Sequence, residues 1–315
     1  MTSTANAHYL VLGKNGQLGR CLVRQLAEAQ DCELIGAYGH DEVDLSNRDA
    51  IMSLDPERTP GVPLWVLNAA AYTAVDLCES ESEACGAVNG SGPGTLAEWC
   101  DVNDASLVHV STDYVFAGDA RAPYRETDTP DPRTAYGSSK LDGEQRVKEA
   151  LPAAWVVRTS WVFGPGKNFV GAIVRQGALR EAGKVEGPLR VVDDQLGCPT
   201  YSDDLAAAII AVTQGDFAGE GGLLHLSNQD PCSWWEFARA ILDGVGYVGL
   251  EIDRVKTSEF PTPAPRPAYS VLDGAKADQL GVGLRGWREA LGDYLASDDF
   301  AALHSELRAE AQAAS

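Results

Sequence analysis

Tyr136 and Lys140 stand four positions apart in Tyr136-Gly-Ser-Ser-Lys140, and on a helix that spacing puts both side chains on one face. An ammonium beside a phenol favours the phenolate and lowers its pKa from about 10. A tyrosine tuned in this way can give a proton to, or take one from, an alcohol or ketone oxygen. The pattern is common on helix surfaces, but here it follows an apolar run that ends in hydroxyls, Val110-Ser-Thr112, with Thr112 lying 24 residues before Tyr136. A second pattern, Gly13-Lys-Asn-Gly16-Gln-Leu-Gly19, directly follows the apolar run Tyr9-Leu-Val-Leu12. Glycines at such a place let the backbone turn sharply and approach a pyrophosphate, which then rests on the positive N-terminus of the next helix. The spacing is G-x-x-G-x-x-G rather than G-x-G-x-x-G, so the strand–turn–helix context carries the assignment. The end of the following strand, Ala37-Tyr-Gly-His40, lacks the acid that would bind an adenosine ribose and repel a 2′-phosphate. With Lys14 able to reach such a phosphate, NADPH is the expected cofactor and NADH the alternative.

These residues need a scaffold, and the first half of the chain alternates short apolar runs with amphipathic stretches. Strands are expected at His8–Gly13, Cys32–Tyr38, Leu64–Asn68, Ser106–Ser111 and Ala153–Arg158. Helices are expected between them, over Gly16–Ala29 with Leu18, Leu22 and Leu26 on one face, over Ser80–Asp101 and over Ser138–Ala150. Such alternation implies βαβ units and a Rossmann-type, doubly wound parallel sheet. Beyond Ser160 the pattern loosens. Short strands at Leu189–Val192 and Leu223–Leu226 mix with helices at Ser202–Val212, Ser233–Asp243 and Gly286–Leu295, and Phe260–Pro267 reads as extended. The division expected is a dinucleotide-binding part over 1–160, joined again by segments around 190–230, and a smaller mixed lobe for substrate over 161–315. Asp298–Ser315 reads as a charged, Ala-rich helix or a frayed tail.

Further blocks occur in order with the first two. They are Asn68-Ala-Ala-Ala-Tyr-Thr-Ala-Val-Asp76, Ser111-Thr-Asp-Tyr-Val-Phe116, Arg158-Thr-Ser-Trp-Val-Phe-Gly164, Asn168-Phe-Val170, Val191-Val-Asp-Asp-Gln-Leu-Gly-Cys-Pro-Thr200 and Arg266-Pro-Ala-Tyr-Ser270. The series resembles the dTDP-4-dehydrorhamnose reductase family of extended short-chain dehydrogenases/reductases, from about Tyr9 to Leu295. The resemblance implies NADPH-dependent reduction of the C4 ketone of a dTDP-4-keto-6-deoxysugar. It puts Thr112, Tyr136 and Lys140 at the catalytic triad, with Thr in place of the Ser of other short-chain reductases. It puts Gly13, Gly16, Gln17, Leu18 and Gly19 on the cofactor loop and Asp44 and Leu45 beside the adenine. Ala69, Ala70, Ala71 and Tyr72 fall on the loop after the third strand. Asp113 and Trp161 fall at positions facing the deoxysugar, and Asn168 and Arg266 at contacts for the sugar or nucleotide. Relatives in the same superfamily leave other readings: another dTDP-deoxysugar 4-ketoreductase, an epimerase or dehydratase, or a non-catalytic regulatory homologue. Some family members hold Mg²⁺ at a dimer interface through glutamates, and no ligand spacing here supports such a site. Both a monomer and a homodimer stay open.

The balance of charge limits the partners. With 25 Lys+Arg against 46 Asp+Glu, the formal charge of the 315 residues is −21. Phosphate neutralisation needs a basic surface, so nucleic acid is not an expected partner, and neither is an anionic membrane. The longest apolar stretch, Leu205–Val212, is far too short to span a bilayer. Met1–Ala7 is polar without a basic start, and the seven cysteines are odd in number with no C-x-x-C pair. The expectation is a cytoplasmic protein with reduced thiols and no metal site. A diphosphate substrate nevertheless needs local cations, and Arg158, Lys167, Arg175, Arg190 and Arg266 lie near the candidate blocks.

Overall fold

The computed structural model describes residues 6–313; Met1–Ala5, part of the polar N-terminal stretch, and Ala314–Ser315 lie outside them. Five strands, β1 (Ala7–Leu12), β2 (Cys32–Tyr38), β3 (Leu64–Asn68), β4 (Ala105–Thr112) and β5 (Trp155–Thr159), join a later strand, Gly222–His225, in one parallel sheet. The order across the sheet is Gly222–His225, β5, β4, β3, β1, β2. The chain thus runs outward from β1 to β2 and then crosses back to β3 on the other side of β1. That reversal opens a crevice at the carboxyl ends of β1 and β3, the place where doubly wound sheets bind ligands.

Burial on both faces explains the near-continuous apolar strands. Tyr9 and Val11 of β1 face a cluster with Leu22, Leu26, Leu205 and Ile209, from the helices Gln17–Glu28 and Ser202–Gln214. Leu10 and Leu12 face the other way, toward Leu96, Trp99 and Val147 of the helices Gly92–Val102 and Ala135–Ala150. A separate cluster centred on Phe163, Tyr201, Phe237, Trp287 and Tyr294 builds a lobe from Phe169–Glu181, Trp234–Gly244, Trp287–Ala296 and Asp298–Ala313. The last of these helices buries Phe300, Leu307 and Ala311 against that lobe. Within the stretch 190–230, Ser202–Gln214 and Gly222–His225 belong to the sheet layer. Leu189–Val192 pairs instead with Ile252–Val255, because Leu189 and Val191 pack into the lobe's cluster.

Two helices differ from their expected bounds. The helix expected over Ser80–Asp101 runs from Ser82 to Val102 as Ser82–Gly86, a π-helical turn Ala87–Ser91 and Gly92–Val102, and a separate short helix, Val75–Cys78, precedes it. Pro93 cannot donate to the preceding turn, and Gly92 packs so tightly that a Cβ there would lie 2.4 Å from the Leu45 carbonyl oxygen. The helix that carries Tyr136 starts at Ala135 rather than Ser138, because the Thr134 hydroxyl caps it by accepting from the Gly137 N–H at 2.9 Å. Among the described residues no helix is long and apolar enough to cross a membrane.

Candidate active site

The cleft at the carboxyl ends of β1, β3, β4 and β5 encloses about 720 Å³. Its floor is the turn after β1. Gly13 takes φ +86°, and a Cβ there would strike the Ala69–Ala70 backbone at 2.7–2.8 Å, so this glycine lets the β1 and β3 loops touch. A Cβ on Gly19 would come within 2.0 Å of the Gly13 carbonyl oxygen, so this glycine lets the helix sit on the turn. Gly16 is different: a Cβ would meet only the Gly13 oxygen, at 3.4 Å, and the residue lines the cleft with Gln17 and Leu18. Gly16 caps the helix Gln17–Glu28 without a side chain, and the first turn carries no acid. The first-turn N–H groups therefore face the cleft with no protein carboxylate competing for them, which suits a diphosphate.

Lys14 and the β2 end depart from expectation. Lys14 Nζ is paired with Glu42 at 2.6 Å, and the same carboxylate accepts from the Gly39 N–H at 2.8 Å. That backbone bond, with Lys14 beside it, holds the Glu42 carboxyl below the usual range. An acid does stand at the end of β2, then, delivered from three residues past Gly39 by a turn that the local sequence does not announce. Asp44 bonds the N–H and hydroxyl of Ser46, while Leu45 is buried. Neither lines the cleft. Ala69 and Ala71 line it; Ala70 packs beneath Gly13, and the Tyr72 N–H is held by Asn89 Oδ1 at 2.8 Å.

Thr112, Tyr136 and Lys140 all line the same cleft. Thr112 ends β4, and its hydroxyl donates to Asp113 Oδ1 at 2.8 Å and accepts from the Tyr114 N–H at 3.2 Å. The helix Ala135–Ala150 lays Tyr136, Lys140 and Glu144 along one buried stripe at four-residue spacing. It can approach so closely because a Cβ at Gly137 would lie 2.1 Å from the Tyr114 carbonyl oxygen, and one at Gly143 2.1 Å from that of Asn89. Lys140 is 1% exposed and donates to the Val110 carbonyl at 2.7 Å. Burial lowers Lys140 to about 8, opposed by the Glu144 carboxylate. Burial also raises the Tyr136 phenol above its ordinary value, so the lowering expected from Lys140 gives way to desolvation in this structure. Asp113 is 3% exposed, burial pushes its carboxyl up to about 6, and its Oδ2 has no hydrogen-bond partner.

The wall opposite carries Trp161, held at φ +48° and stacked on Trp234 with centroids 3.5 Å apart. Trp234 Nε1 in turn donates to Gln195 Oε1 at 3.0 Å. Trp234 and Gln195 line the cleft and were not among the expected residues; Gln195 falls inside the block Val191–Thr200, and Trp234 lies within the Ser233-to-Glu236 capping box, which marks a helix start. Asn168 does not line the cleft. Its Oδ1 caps the helix Phe169–Glu181, and its Nδ2 holds the Gly164 and Gly166 carbonyls, so it supports the loop that brings Pro165 and Lys167 to the cleft. Arg266 does line it and bonds Asp76 Oδ2 at 2.7 Å.

Of the other cations expected near a diphosphate, only Lys167 lines the cleft, joined by Arg20, which sequence reasoning passed over. Arg158 is 2% exposed and locked in a two-pronged pair with Glu144, at 2.6 and 2.8 Å. Arg175 pairs with Glu310 and Arg190 with Glu259 on the surface. His109 is a core histidine: fully buried, bonded to Asn68, and kept neutral by burial and by Lys140. Among the described residues no group of three or more His, Cys, Asp or Glu is placed to hold a metal ion.

Comparison with known proteins gives this geometry a context. The RmlD substrate binding domain family matches residues 7–300. The chain is 42% identical over 286 residues to a probable dTDP-4,6-dihydroxy-2-methyloxan-3-one 4-ketoreductase of Streptomyces antibioticus, covering 90% of this chain and 92% of that protein. It is 41% identical over 296 residues to a dTDP-4-dehydrorhamnose reductase of Mycobacterium tuberculosis H37Rv, covering 91% and 92%. The crystal structure of a dTDP-4-dehydrorhamnose reductase from Bacillus anthracis in complex with NADP superposes with a TM-score of 0.80 at 33% identity, over 92% of this chain and 99% of that one. With its Rossmann-like sheet and a match along nearly its whole length, the chain belongs to the RmlD substrate binding domain family.

Proposed function

We propose that the protein is an NADPH-dependent oxidoreductase that reduces the C4 ketone of dTDP-4-dehydro-L-rhamnose to dTDP-L-rhamnose. The observation that carries this reading is the meeting of Thr112, Tyr136 and Lys140 with the helix N-terminus at Gly16 in one cleft. NADPH, when bound, supplies the hydride. The first turn of Gln17–Glu28 would hold its diphosphate, and Lys140 its nicotinamide ribose. Tyr136 delivers a proton to the C4 oxygen as negative charge develops there. Its raised pKa suits this direction, because the phenol stays protonated at neutral pH until an alkoxide stronger than itself takes the proton. Thr112 donates a hydrogen bond to the same oxygen and must turn its hydroxyl away from Asp113 to do so. Trp161 and Trp234 supply an apolar wall for the sugar, and Asp113 lines the same cleft.

A second reading, reduction of another dTDP-linked 4-keto-deoxysugar, is favoured by the 42% identity to the Streptomyces antibioticus protein. One assay separates the two: loss of NADPH absorbance with dTDP-4-dehydro-L-rhamnose generated in place, with the product identified by NMR. Oxidation giving dTDP-L-rhamnose supports the first reading. Oxidation giving the C4 epimer moves the protein to the second. Binding of NADPH without oxidation overturns the first and favours a different keto-sugar or a regulatory role.

A further inference from the structure

Cys78 and Cys85 are both fully buried, and their Sγ atoms lie 2.6 Å apart. That is well inside the contact distance of unbonded sulfurs and about half an ångström beyond an S–S bond. Cys78 ends the short helix Val75–Cys78 and Cys85 sits in the next, Ser82–Gly86, with an exposed turn, Glu79–Glu81, between them. The pair shares a buried cluster with Tyr136. Cys85 Sγ lies 3.2 Å from the Ser139 hydroxyl, which donates to the Tyr136 carbonyl at 2.7 Å. The same segment gives Val75 to the cleft, Asp76 to Arg266, and Glu79 Oε1 to the Ala135 N–H that opens the Tyr136 helix.

We propose that Cys78 and Cys85 form a redox site, a buried dithiol that closes to a disulfide and fixes the wall on which Tyr136 rests. The oxidant class is a small-molecule disulfide such as oxidised glutathione. One cysteine thiolate attacks it, releases one glutathione thiolate and forms a mixed disulfide. The second cysteine thiolate attacks the mixed disulfide at the cysteine sulfur and releases the other. The two cysteines lose two electrons and two protons, and the oxidant leaves as two thiols. Burial pushes the Cys78 thiol up to about 12, so exchange waits on local opening of the two short helices and is slow.

The test is exposure of the native protein to oxidised glutathione for hours, followed by thiol titration in denaturant and a non-reducing digest. The expected count falls from seven thiols to five, with the Cys78 and Cys85 peptides linked. Cys85→Ala and Cys78→Ala each abolish the loss. Seven remaining thiols, or a link between other cysteines, overturns the site. Turnover of a keto-sugar nucleotide falls in the five-thiol form and returns with dithiothreitol; unchanged turnover in that form overturns the connection to Tyr136. This last readout rests on the reductase reading. A protein with no turnover in either form counts against that reading, while the thiol count still decides the redox site.

Discussion

At the scale of single residues, the proposed reaction assigns some cleft side chains to the chemistry and others to holding them. Tyr136→Phe removes the proton donor and little volume, so it should fold normally and lose about 10²–10⁴-fold in kcat; a near-wild-type rate would remove Tyr136 from the mechanism. Asp113 carries the cost of a buried carboxyl. Its pKa rises from 3.8 unfolded to about 6 folded. Between those values the folded chain keeps a proton that the unfolded chain has released, so stability falls as pH rises through that window, and the full cost stands above pH 6. The shift corresponds to about 3 kcal/mol as an upper bound. Asp113→Asn keeps an acceptor for Thr112 without the charge. It should melt higher at pH 7 and lose the stability difference between pH 4 and pH 7, and melting curves parallel to wild type at both pH values would contradict this. Glu42 sets the third expectation. Glu42→Gln releases Lys14 and removes a carboxylate from the β2 end, so the ratio of NADPH to NADH affinity should rise, read by calorimetry. The convergence of Tyr136, Lys140 and Thr112 in one cleft was legible, because the proposed chemistry fixes their types and spacing. The placement of Glu42 was not, since it reaches the β2 end through a backbone turn, and that of Trp234 was not, since an aromatic at a helix start looks like core.

At the scale of elements, the glycine turn after β1 does two jobs, and its glycines can be told apart by what a methyl group would meet. At Gly16 it would point into the cleft, so Gly16→Val should fold, melt near wild type and lose NADPH binding, because the side chain fills the space a diphosphate needs. At Gly19 it would lie 2.0 Å from the Gly13 carbonyl oxygen, and backbone cannot yield there. Gly19→Ala should therefore lower the melting temperature as well as binding, by displacing the helix Gln17–Glu28 from β1. Equal melting temperatures for the two variants would mean that the helix does not rest on the turn as described. The five strands and most helices could be read because both faces of the sheet are buried, which makes the strands continuous apolar runs. The π-helical turn at Ala87–Ser91 could not, since Gly90 and Gly92 meet Asp142 and Leu45 from distant parts of the chain. The expected use of Arg158 failed for a similar reason. An arginine beside a site block reads as a ligand contact, but Glu144, two turns after Tyr136, takes it into the core.

At the scale of the whole molecule, a ligand with two or more phosphate charges must approach a protein of formal charge −21. A chain of this length has a radius of about 20 Å. At that distance in water each charge pair is worth about 0.2 kcal/mol unscreened, so the summed repulsion reaches about 4 kcal/mol per ligand charge. Screening over a Debye length of about 8 Å, at about 0.15 M salt, cuts this roughly tenfold, whereas at about 0.01 M the Debye length is about 30 Å and much of it survives. The attraction inside the cleft has a shorter range. It comes from Arg20, Lys167, Arg266 and the helix N-terminus at Gly16, with Arg266 already shared with Asp76. The approach should thus be governed by net charge and the bound state by these few groups. Stopped-flow fluorescence should show the association rate constant for NADPH rising between about 0.01 and 0.15 M salt, while the dissociation rate constant rises too as the local contacts are screened. An association rate that falls with salt would show that the cleft's own positive potential reaches past the acidic surface and steers the ligand in.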